Sequence, residues 1–205
     1  MKKTFYSLYL KRFIDFNLAF FALIVLSPLL LFVIILQIIF NGFPIFFTQL
    51  RVGKDEKIFK LYKFRTMNNK KDKFGVLLPD YRRKTWYGSF LRVTSIDELP
   101  SLINIIKGDM AVVGPRPLLV EYLPLYNSEQ KQRHLIRPGL SGLAQIKGRN
   151  LLSWEQKFYY DLVYLKKISL YFDIKIIIIT FFNILSFKPV NASKNTTMEK
   201  FKGNL

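Results

Sequence analysis

The stretch FNLAFFALIVLSPLLLFVIILQIIFNGFPIFFTQL, residues 16–50, carries no charged side chain and decides the fold. As a straight helix, residues 16–40 would be about 37 Å long, enough to cross a hydrocarbon core of about 30 Å. Near the middle, however, Pro28 has no N–H to donate to the carbonyl of Ile24, a defect that costs about 3 kcal/mol inside a helix. Ser27 can bond the freed backbone locally. A break at Ser27-Pro28 would leave two limbs of roughly 17 Å, and each would reach about the middle of a bilayer.

Basic clusters flank this stretch on both sides. The flanking cations are Lys2, Lys3, Lys11 and Arg12 before it, and Arg51, Lys54, Lys57, Lys60 and Lys63 after it. By the positive-inside rule, both ends of the stretch are cytoplasmic. We therefore expect residues 1–50 to form a re-entrant membrane anchor, a helix that enters the bilayer, bends at Ser27-Pro28 and returns. An ordinary transmembrane helix with a proline kink stays open as the alternative.

The composition favours a protein at a membrane surface. The 205 residues include 32 Lys and Arg against 14 Asp and Glu, a net charge of +18. Such a charge favours anionic membrane lipids or phosphate groups as partners. Nucleic acid would explain the charge but not the long uncharged stretch, so we expect no nucleic-acid partner. With no cysteine and one histidine, His134, the chain lacks the parts for disulfides, Cys-ligated zinc or a serine triad.

The rest of the chain predicts one compact domain at residues 51–187, followed by a polar, loose tail at residues 188–205. We expect a mostly α fold with short β segments, of the α+β class. Its C-terminal helices are predicted to be amphipathic and to lie at the membrane interface, although a buried position stays open for the last one. The predicted elements are a strand within residues 58–67 and helices at residues 99–107, 153–167 and 174–187.

The segment RVTSIDELP, residues 92–100, carries adjacent carboxylates where a helix begins. Ser95 and Glu98 fit a capping box, whereas a helix that begins at Asp97 places Pro100 in its first turn. Either register puts Asp97 at a helix N-terminus, where free N–H groups favour an ionised carboxylate and attract phosphate. Two interpretations stay open: a cap without chemistry, or a carboxylate nucleophile beside a phosphate.

Two further segments present arginines from tight loops. Pro115 and Pro117 fix φ around Arg116, so its guanidinium is presented for bidentate phosphate binding at low entropic cost. Arg137 in RPGLSG and Arg149 in GRN also lie among turn-forming residues. Together with the carboxylates and two other cations, these loops predict a site for an anionic substrate. The core of that predicted site is Lys63, Arg92, Asp97, Glu98 and Arg116.

The chain resembles the small monotopic phosphoglycosyl transferases, bacterial sugar transferases that start glycan assembly on a polyprenol phosphate. The resemblance covers nearly the whole length. Its motifs are the Ser27-Pro28 break, KIFKLYKFRTM (residues 57–67), RVTSIDELPSLINIIKGDMAVVGPRPLL (residues 92–119) and RPGLSGLAQIKGRN (residues 137–150). A more local likeness, in EYLPLYNSEQKQRH (residues 121–134), is to the subgroup that initiates bacterial protein N-glycosylation with a phospho-bacillosamine unit.

The resemblance implies a two-step mechanism. Asp97 would attack the sugar-bearing phosphate of a UDP-sugar, such as UDP-diacetylbacillosamine, and expel UMP; polyprenol phosphate would then attack the aspartyl-phosphosugar. The resemblance also implies Mg²⁺ as the cofactor, held by Asp97 and Glu98, with Glu98 as metal partner or base. The enzyme would lie on the cytoplasmic face of the bacterial inner membrane. Implied phosphate contacts are Lys63, Arg92 and Arg116, while Arg137 and Arg149 are candidates for the nucleotide or for a structural loop.

Two other mechanisms compete with this one. In a one-step transfer, Glu98 would act as a general base and no covalent intermediate would form. In a non-enzymatic alternative, the chain would be a basic membrane-surface scaffold for anionic lipid or nucleic acid, and the Asp97-Glu98 pair would only cap a helix. The sequence leaves the sugar, the polyprenol length and the oligomeric state open.

Overall fold

The computed structural model describes residues 4–186 and 200–203. Within them the chain is mostly helical with two small sheets, which confirms the predicted α+β class. The helices are a π-helical turn Tyr6–Leu10, α1 Lys11–Asn41, α2 Asp80–Arg83, α3 Trp86–Val93, α4 Leu102–Lys107, α5 Ser128–Lys131, α6 Leu143–Lys147, α7 Trp154–Lys167 and α8 Leu170–Leu185. Short 3₁₀ segments lie at Lys54–Glu56, Ile96–Ser101, Val120–Leu125, Gln132–Leu135 and Arg149–Leu151. Strands β1 Phe46–Val52 and β2 Ile58–Phe64 pair antiparallel, and β3 Ala111–Val113 and β4 Gly139–Ser141 pair parallel.

Helix α1 continues without interruption through Ser27 and Pro28. Ser27 Oγ donates a hydrogen bond of 2.8 Å to the carbonyl of Ile24, the acceptor that Pro28 cannot serve. Because this bond replaces the missing donor, the expectation of two separate limbs is wrong for the backbone, which stays helical from one end of α1 to the other. In the described part of the chain, Tyr6–Asn41 is the one helix long and apolar enough to cross a membrane, judged by length and composition.

Both halves of α1 are packed into the rest of the protein. Ala19, in the first half, is fully buried, and Val33, in the second half, is almost fully buried. Their buried partners are Phe59, Leu61, Leu102, Ile105 and Met110 around Ala19, and Phe64, Tyr87 and Leu91 around Val33. The predicted boundary between residues 50 and 51 moreover falls inside β1. The anchor and the body therefore share their hydrophobic cores.

Side chains, rather than a third strand, pair with the second edge of β2. Asn104 on α4 is fully buried. Its Oδ1 accepts from the Tyr62 N–H at 3.1 Å, and its Nδ2 donates to the Lys60 carbonyl at 2.8 Å. Ser101 Oγ donates to the Tyr62 carbonyl at 2.8 Å. Because buried backbone groups require such partners, these bonds hold residues 96–107 against β2.

The two C-terminal helices differ in what they bury. Helix α7 begins after Ser153, as predicted, but Phe158, Leu162 and Leu165 lie in the protein core. The apolar side of α7 is therefore covered by the protein itself, and the expectation that α7 lies at the membrane interface is wrong for that side. Helix α8 keeps the exposed apolar face of an interfacial helix. That face carries Leu170, Tyr171, Ile174, Ile178, Phe181, Phe182 and Leu185.

Part of the predicted tail returns to the body. Phe201 is buried in an aromatic cluster with Tyr122, Tyr126, Trp154 and Phe158. The Lys200 ammonium also lies 3.2 Å from the Glu121 carboxylate. The expectation of a loose tail is therefore wrong for residues 200–203, because a ring that fills a core cluster holds them in place. Residues 187–199 and 204–205 lie outside the described residues.

A glycine in α3 marks a close approach between backbones. A Cβ added at Gly88 would lie 1.9 Å from the carbonyl oxygen of Thr66. In an isolated helix Gly→Ala is favourable by about 1 kcal/mol, but here we expect Gly88→Ala to lower stability by about 1–3 kcal/mol, because the backbone has to shift. Urea unfolding measures the change. Ser89→Ala, at an exposed position of α3, is the matched control and should change stability by less than about 0.5 kcal/mol. A Gly88→Ala protein as stable as the parent would contradict the packing described.

Candidate active site

A charged cleft opens between β2, the 3₁₀ segment Ile96–Ser101 and the loop of residues 114–117. It contains about 280 Å³ of empty space, part of it open to solvent. The cleft floor is apolar, with Leu61 and Met110 among its residues. The charged side chains that line the cleft are Arg51, Lys63, Glu98 and Arg116.

Glu98 joins two of these cations. Its Oε1 accepts from Lys63 Nζ at 2.6 Å and from Arg116 Nη2 at 2.8 Å. Burial acts to raise the pKa of Glu98, but the charges of Arg116 and Lys63 and their hydrogen bonds outweigh it and hold that pKa below its usual value. Glu98 is therefore ionised at neutral pH, and it holds a cation from β2 next to a cation from the proline-flanked loop.

Asp97 lies beside this pair and is only 8% exposed. Burial raises the pKa of Asp97 to about 6, and the neighbouring charge of Glu98 adds to the effect, against the opposing charges of Lys63, Arg92 and Arg116. The carboxylate makes no hydrogen bond with another described residue. Asp97 is thus a buried carboxylate that is mostly ionised at pH 7 and surrounded by cations.

The capping interpretation finds no hydrogen bond to support it. Ser95, the expected cap, has a left-handed backbone with φ of 59° and makes no side-chain bond to the helix that follows. The adjacent carboxylates lie in the first turn of the 3₁₀ segment, and Pro100 lies inside that segment. Neither Ser95 nor Asp97 therefore satisfies an N–H group at this helix start.

Arg92 completes the predicted cluster from α3. Its Nε donates to Thr66 Oγ1 at 2.8 Å, and its charge lowers the pKa of Asp97. The guanidinium is therefore held by a neighbouring loop on one side while it faces the carboxylate on the other. Of the five side chains that the sequence proposed for the core of the site, Lys63, Glu98 and Arg116 line the cleft, whereas Arg92 and Asp97 are not among its lining residues. All four partners lie near enough to Asp97 for their charges to shift its pKa.

The loop that carries Arg116 is held at three successive carbonyls. Each of the carbonyls of Pro115, Arg116 and Pro117 accepts one hydrogen bond. The donors, in that order, are the Gly139 N–H at 2.9 Å, Arg133 Nη2 at 2.7 Å and Arg51 Nη1 at 3.2 Å. Because the prolines also fix φ, the loop presents the guanidinium of Arg116 from a rigid backbone.

Arg51 is a cleft residue that the sequence did not single out. Its Nη2 donates to Gln49 Oε1 at 2.6 Å, whereas its Nε is buried without a partner among the described residues. Burial lowers the pKa of Arg51 to about 10, and the like charge of Arg116 adds to the effect, so the guanidinium stays protonated at neutral pH. The alternation of strand β1 places Arg51 on the same side as Gln49, but alternation alone does not show which side faces a cleft.

A buried ion pair behind the loop also carries no signal in the local sequence. Arg133 donates to Asp161 Oδ2 from Nε at 3.0 Å and from Nη2 at 2.7 Å, and both side chains are almost fully buried. The same Arg133 holds the Arg116 carbonyl. The neighbouring His134 is buried, which lowers its pKa to about 4 with the charge of Arg133 adding to the effect. His134 is therefore neutral at physiological pH and structural.

The structure does not bring Arg137 to the cleft. Its Nε donates to the Gly108 carbonyl at 2.8 Å, just past the end of α4. Arg12 donates to the carbonyls of Ile105 and Ile106 at the same helix end. Cations are favourable at a helix C-terminus, so of its two predicted roles we propose the structural one. Arg149 opens a 3₁₀ segment, and its side chain lies outside the described residues.

The two carboxylates suit a magnesium ion that arrives with its substrate. Among residues 4–186 and 200–203 there is no group of three or more His, Cys, Asp or Glu side chains placed to hold a metal. Mg²⁺, however, is usually bound by one or two carboxylates together with substrate phosphates. Asp97 has no hydrogen bond to lose, and Glu98 uses only Oε1 for its two cations. These donors fit Mg²⁺ once a diphosphate supplies further oxygens.

A family model for bacterial sugar transferases matches residues 6–187 of this chain. The chain therefore belongs to the bacterial sugar transferase family, and the resemblance to phosphoglycosyl transferases is confirmed at the level of the family. It is an enzyme of this transferase class.

Relatives from several bacteria agree with this membership. The chain is 46% identical to the uncharacterized sugar transferase EpsL of Bacillus subtilis over 95% of this chain and 96% of that protein. It is 38% identical to the UDP-glucose:undecaprenyl-phosphate glucose-1-phosphate transferase of Klebsiella pneumoniae over 84% of this chain. It is 35% identical to the undecaprenyl-phosphate galactose phosphotransferase of Salmonella typhimurium over 83% of this chain. The chain spans only 39% of the length of each of the latter two proteins.

The two buried aspartates should respond in opposite ways to the same substitution. The pKa of Asp97 lies above its ordinary value of 3.8, so its ionisation costs stability as pH rises from about 4 through about 6. At pH 8 we expect Asp97→Asn to raise the free energy of unfolding by on the order of 2 kcal/mol, and at pH 4 by much less. Burial also raises the pKa of Asp161, but Asp161→Asn leaves Arg133 buried without a counter-charge and should cost about 3–5 kcal/mol.

Chemical unfolding of both variants at pH 4 and pH 8 measures this contrast. If Asp97→Asn lowered stability at pH 8, the Asp97 carboxylate would be making stabilising hydrogen bonds that the structure does not contain. That result would support the capping interpretation.

Proposed function

We propose that this enzyme transfers a phosphosugar from a UDP-sugar to polyprenol phosphate and releases UMP, with polyprenyl diphosphate sugar as the product. Two relatives support the donor and the acceptor. One is named for moving glucose 1-phosphate from UDP-glucose to undecaprenyl phosphate, and the other is an undecaprenyl-phosphate galactose phosphotransferase. The cleft agrees with such substrates, because its cations suit a diphosphate.

The buried and unbonded carboxylate of Asp97 is the observation that carries the proposed mechanism. In the first step, an Asp97 oxygen forms a bond to the sugar-bearing phosphorus, and the bond from that phosphorus to the bridging oxygen breaks. UMP leaves with the electron pair. In the second step, a phosphate oxygen of the polyprenol phosphate attacks the same phosphorus and returns Asp97 to its ionised form. A nucleophile without hydrogen bonds has no partner to lose before it attacks.

The surrounding side chains offset phosphate charge. Glu98 keeps Lys63 and Arg116 together, and Thr66 holds Arg92, so all three cations are in place before the substrate binds. Such preorganised charges stabilise the additional charge of a phosphoryl-transfer transition state. Bound Mg²⁺ would offset the charge of the diphosphate. Arg51, which lines the same cleft, is an additional candidate for a phosphate contact.

The identity of the transferred sugar is the most specific part of the proposal. The local likeness of residues 121–134 favours an N-acetylated amino sugar such as diacetylbacillosamine, and with it a place in protein glycosylation, whereas the two named relatives carry glucose and galactose. None of residues 121–134, all of which the structure describes, lines the cleft. Tyr122 and Tyr126 pack in the aromatic cluster, and Arg133 supports the Arg116 loop. We infer that this segment acts on sugar choice through the loop.

A covalent adduct tests the two-step mechanism and reports the sugar. The protein is mixed with a panel of UDP-sugars without acceptor, and we expect the preferred donor to release UMP and to leave a phosphosugar on the peptide that contains Asp97. Intact-protein and peptide mass spectrometry measure the adduct, whose mass identifies the sugar. Asp97→Asn should abolish both the adduct and the release of UMP. Glu155→Gln, at an exposed carboxylate on α7, is the control and should behave like the parent.

The competing mechanisms predict other results. A one-step transfer with Glu98 as general base needs the acceptor, so UMP would appear only with polyprenol phosphate and without an adduct. A non-enzymatic scaffold would release no UMP from any donor, and Asp97→Asn would change nothing but stability.

We further propose that α1 is re-entrant and that the body lies on the cytoplasmic face of the bacterial inner membrane. The two ends of α1 are bonded to the same body. At one end, Lys11 Nζ lies 2.6 Å from Asp173 Oδ2, and at the other end Gln37 Nε2 donates to the Arg65 carbonyl at 2.8 Å. A helix that crossed the bilayer would carry one of these polar contacts, and the body around it, through the hydrocarbon core. The apolar residues that α1 leaves exposed support its contact with lipid.

The absence of native cysteine allows a direct test of this topology. Single-cysteine variants Thr4→Cys and Lys54→Cys should both react with a membrane-impermeant maleimide in inside-out vesicles, and neither should react in intact spheroplasts. The measurement is the labelled fraction after quenching and gel shift. Glu129→Cys on the body marks the cytoplasmic side. Labelling of positions 4 and 54 from opposite sides would replace the re-entrant helix with an ordinary transmembrane span.

A further inference from the structure

A second, larger cavity lies between α6, α7 and α8. It contains about 650 Å³ of empty space, including space open to solvent. The catalytic cleft and this groove share no lining residue. The walls of the groove are apolar and include Leu143, Ile146, Val163, Phe172, Ile176 and Ile179.

One exposed lysine from each helix lies at the edge of this groove. Lys147 ends α6, Lys167 ends α7, and Lys175 lies on α8. None of the three makes an ion pair or a hydrogen bond with another described residue, and no carboxylate is among the groove-lining residues. The nearest acid in sequence to Lys175 is Asp173, which is buried and bonded to Lys11, Tyr6 and Tyr164. The groove is therefore an apolar slot with an uncompensated positive rim.

The position of α8 indicates the environment of this groove. One side of α8 lines the groove with Phe172, Ile176 and Ile179, and the other side exposes apolar residues such as Ile178 and Phe182. An exposed apolar helix face with lysines beside it is typical of a helix at the boundary between headgroups and acyl chains. A ligand with an apolar chain and an anionic head matches both the slot and its rim.

We infer that this groove binds an anionic phospholipid, with one acyl chain in the slot and the headgroup phosphate at Lys147, Lys167 and Lys175. A phospholipid fits better than the prenyl acceptor, because the acceptor must deliver its phosphate to Asp97, whereas the three lysines would hold a phosphate in the groove. This inference rests on the proposed membrane attachment, and its preference for a phospholipid over the acceptor rests on the proposed function. A bound lipid would tie α6, and through it β4 at the edge of the cleft, to the membrane.

An environment-sensitive fluorophore in the groove tests the inference. The chain has no cysteine, so Tyr159→Cys, at an exposed position that lines the groove, can be labelled selectively with acrylodan in the detergent-solubilised full-length protein. Dioctanoyl phosphatidylglycerol should shift the emission to the blue at concentrations about tenfold or more below those of dioctanoyl phosphatidylcholine, because each lysine adds affinity for an anionic lipid.

Matched charge variants distinguish lipid binding at the three rim lysines from a general effect of the net positive charge. In the labelled background, Lys147→Gln, Lys167→Gln and Lys175→Gln together should abolish the preference for phosphatidylglycerol. The control combines Lys131→Gln, Lys166→Gln and Lys202→Gln, which remove the same charge from exposed positions outside the groove and should keep the preference.

Equal affinity for the two phospholipids would overturn the inference, and so would an equal loss of the preference for phosphatidylglycerol in both triple variants. Tighter binding of farnesyl phosphate than of phosphatidylglycerol would also overturn it, and would assign the groove to the acceptor. Release of UMP, assayed separately with the unlabelled triple variants, should stay near the parent level. If neither the parent nor any variant released UMP, the proposed function would be wrong. The lipid-binding measurement would still test whether the groove prefers phosphatidylglycerol.

Discussion

The hydrogen bonds that Asn104 and Ser101 make with the edge of β2 are the constraint on which the site depends. A two-stranded hairpin is marginal by itself and leaves an edge of unpaired backbone groups. Here a buried amide and a hydroxyl take the place of a third strand. The same bonds hold the segment with Asp97 and Glu98 against the strand that carries Lys63. The fold and the charge cluster are therefore set by one contact between elements that lie far apart in the chain.

The two adjacent carboxylates of the charge cluster lie in opposite electrostatic environments. Glu98 is held by two cations, whereas Asp97 is buried without a hydrogen bond, and its raised pKa shows that the fold disfavours its charge. Stability that is lost at such a position is common at reactive groups and is offset elsewhere. The buried pair of Arg133 and Asp161 lies behind the loop and fixes its backbone.

The sequence predicted which charged side chains the fold brings together better than it predicted the packing. Asp97 and Arg116 were found because adjacent carboxylates and a proline-flanked arginine carry local signals. Arg51 and the Arg133–Asp161 pair have no local signal, since the contacts that hold the Arg116 loop and the pair itself join residues 17 or more positions apart. The helix through Pro28 was mispredicted because a single hydroxyl, that of Ser27, supplies a hydrogen bond in place of the missing one. The buried side of α7 was mispredicted because periodicity shows that a helix has an apolar face but not what covers that face.

The packing of α1 into both halves of the core has a consequence for biogenesis. Helix α1 is synthesised before residues 59–110, and its Ala19 and Val33 complete clusters whose other buried members come from that later part of the chain. The body cannot close its interior before this segment is in place. Folding of the domain is therefore coupled to the placement of α1, and a chain made without this helix would lack part of the hydrophobic core as well as the long apolar helix.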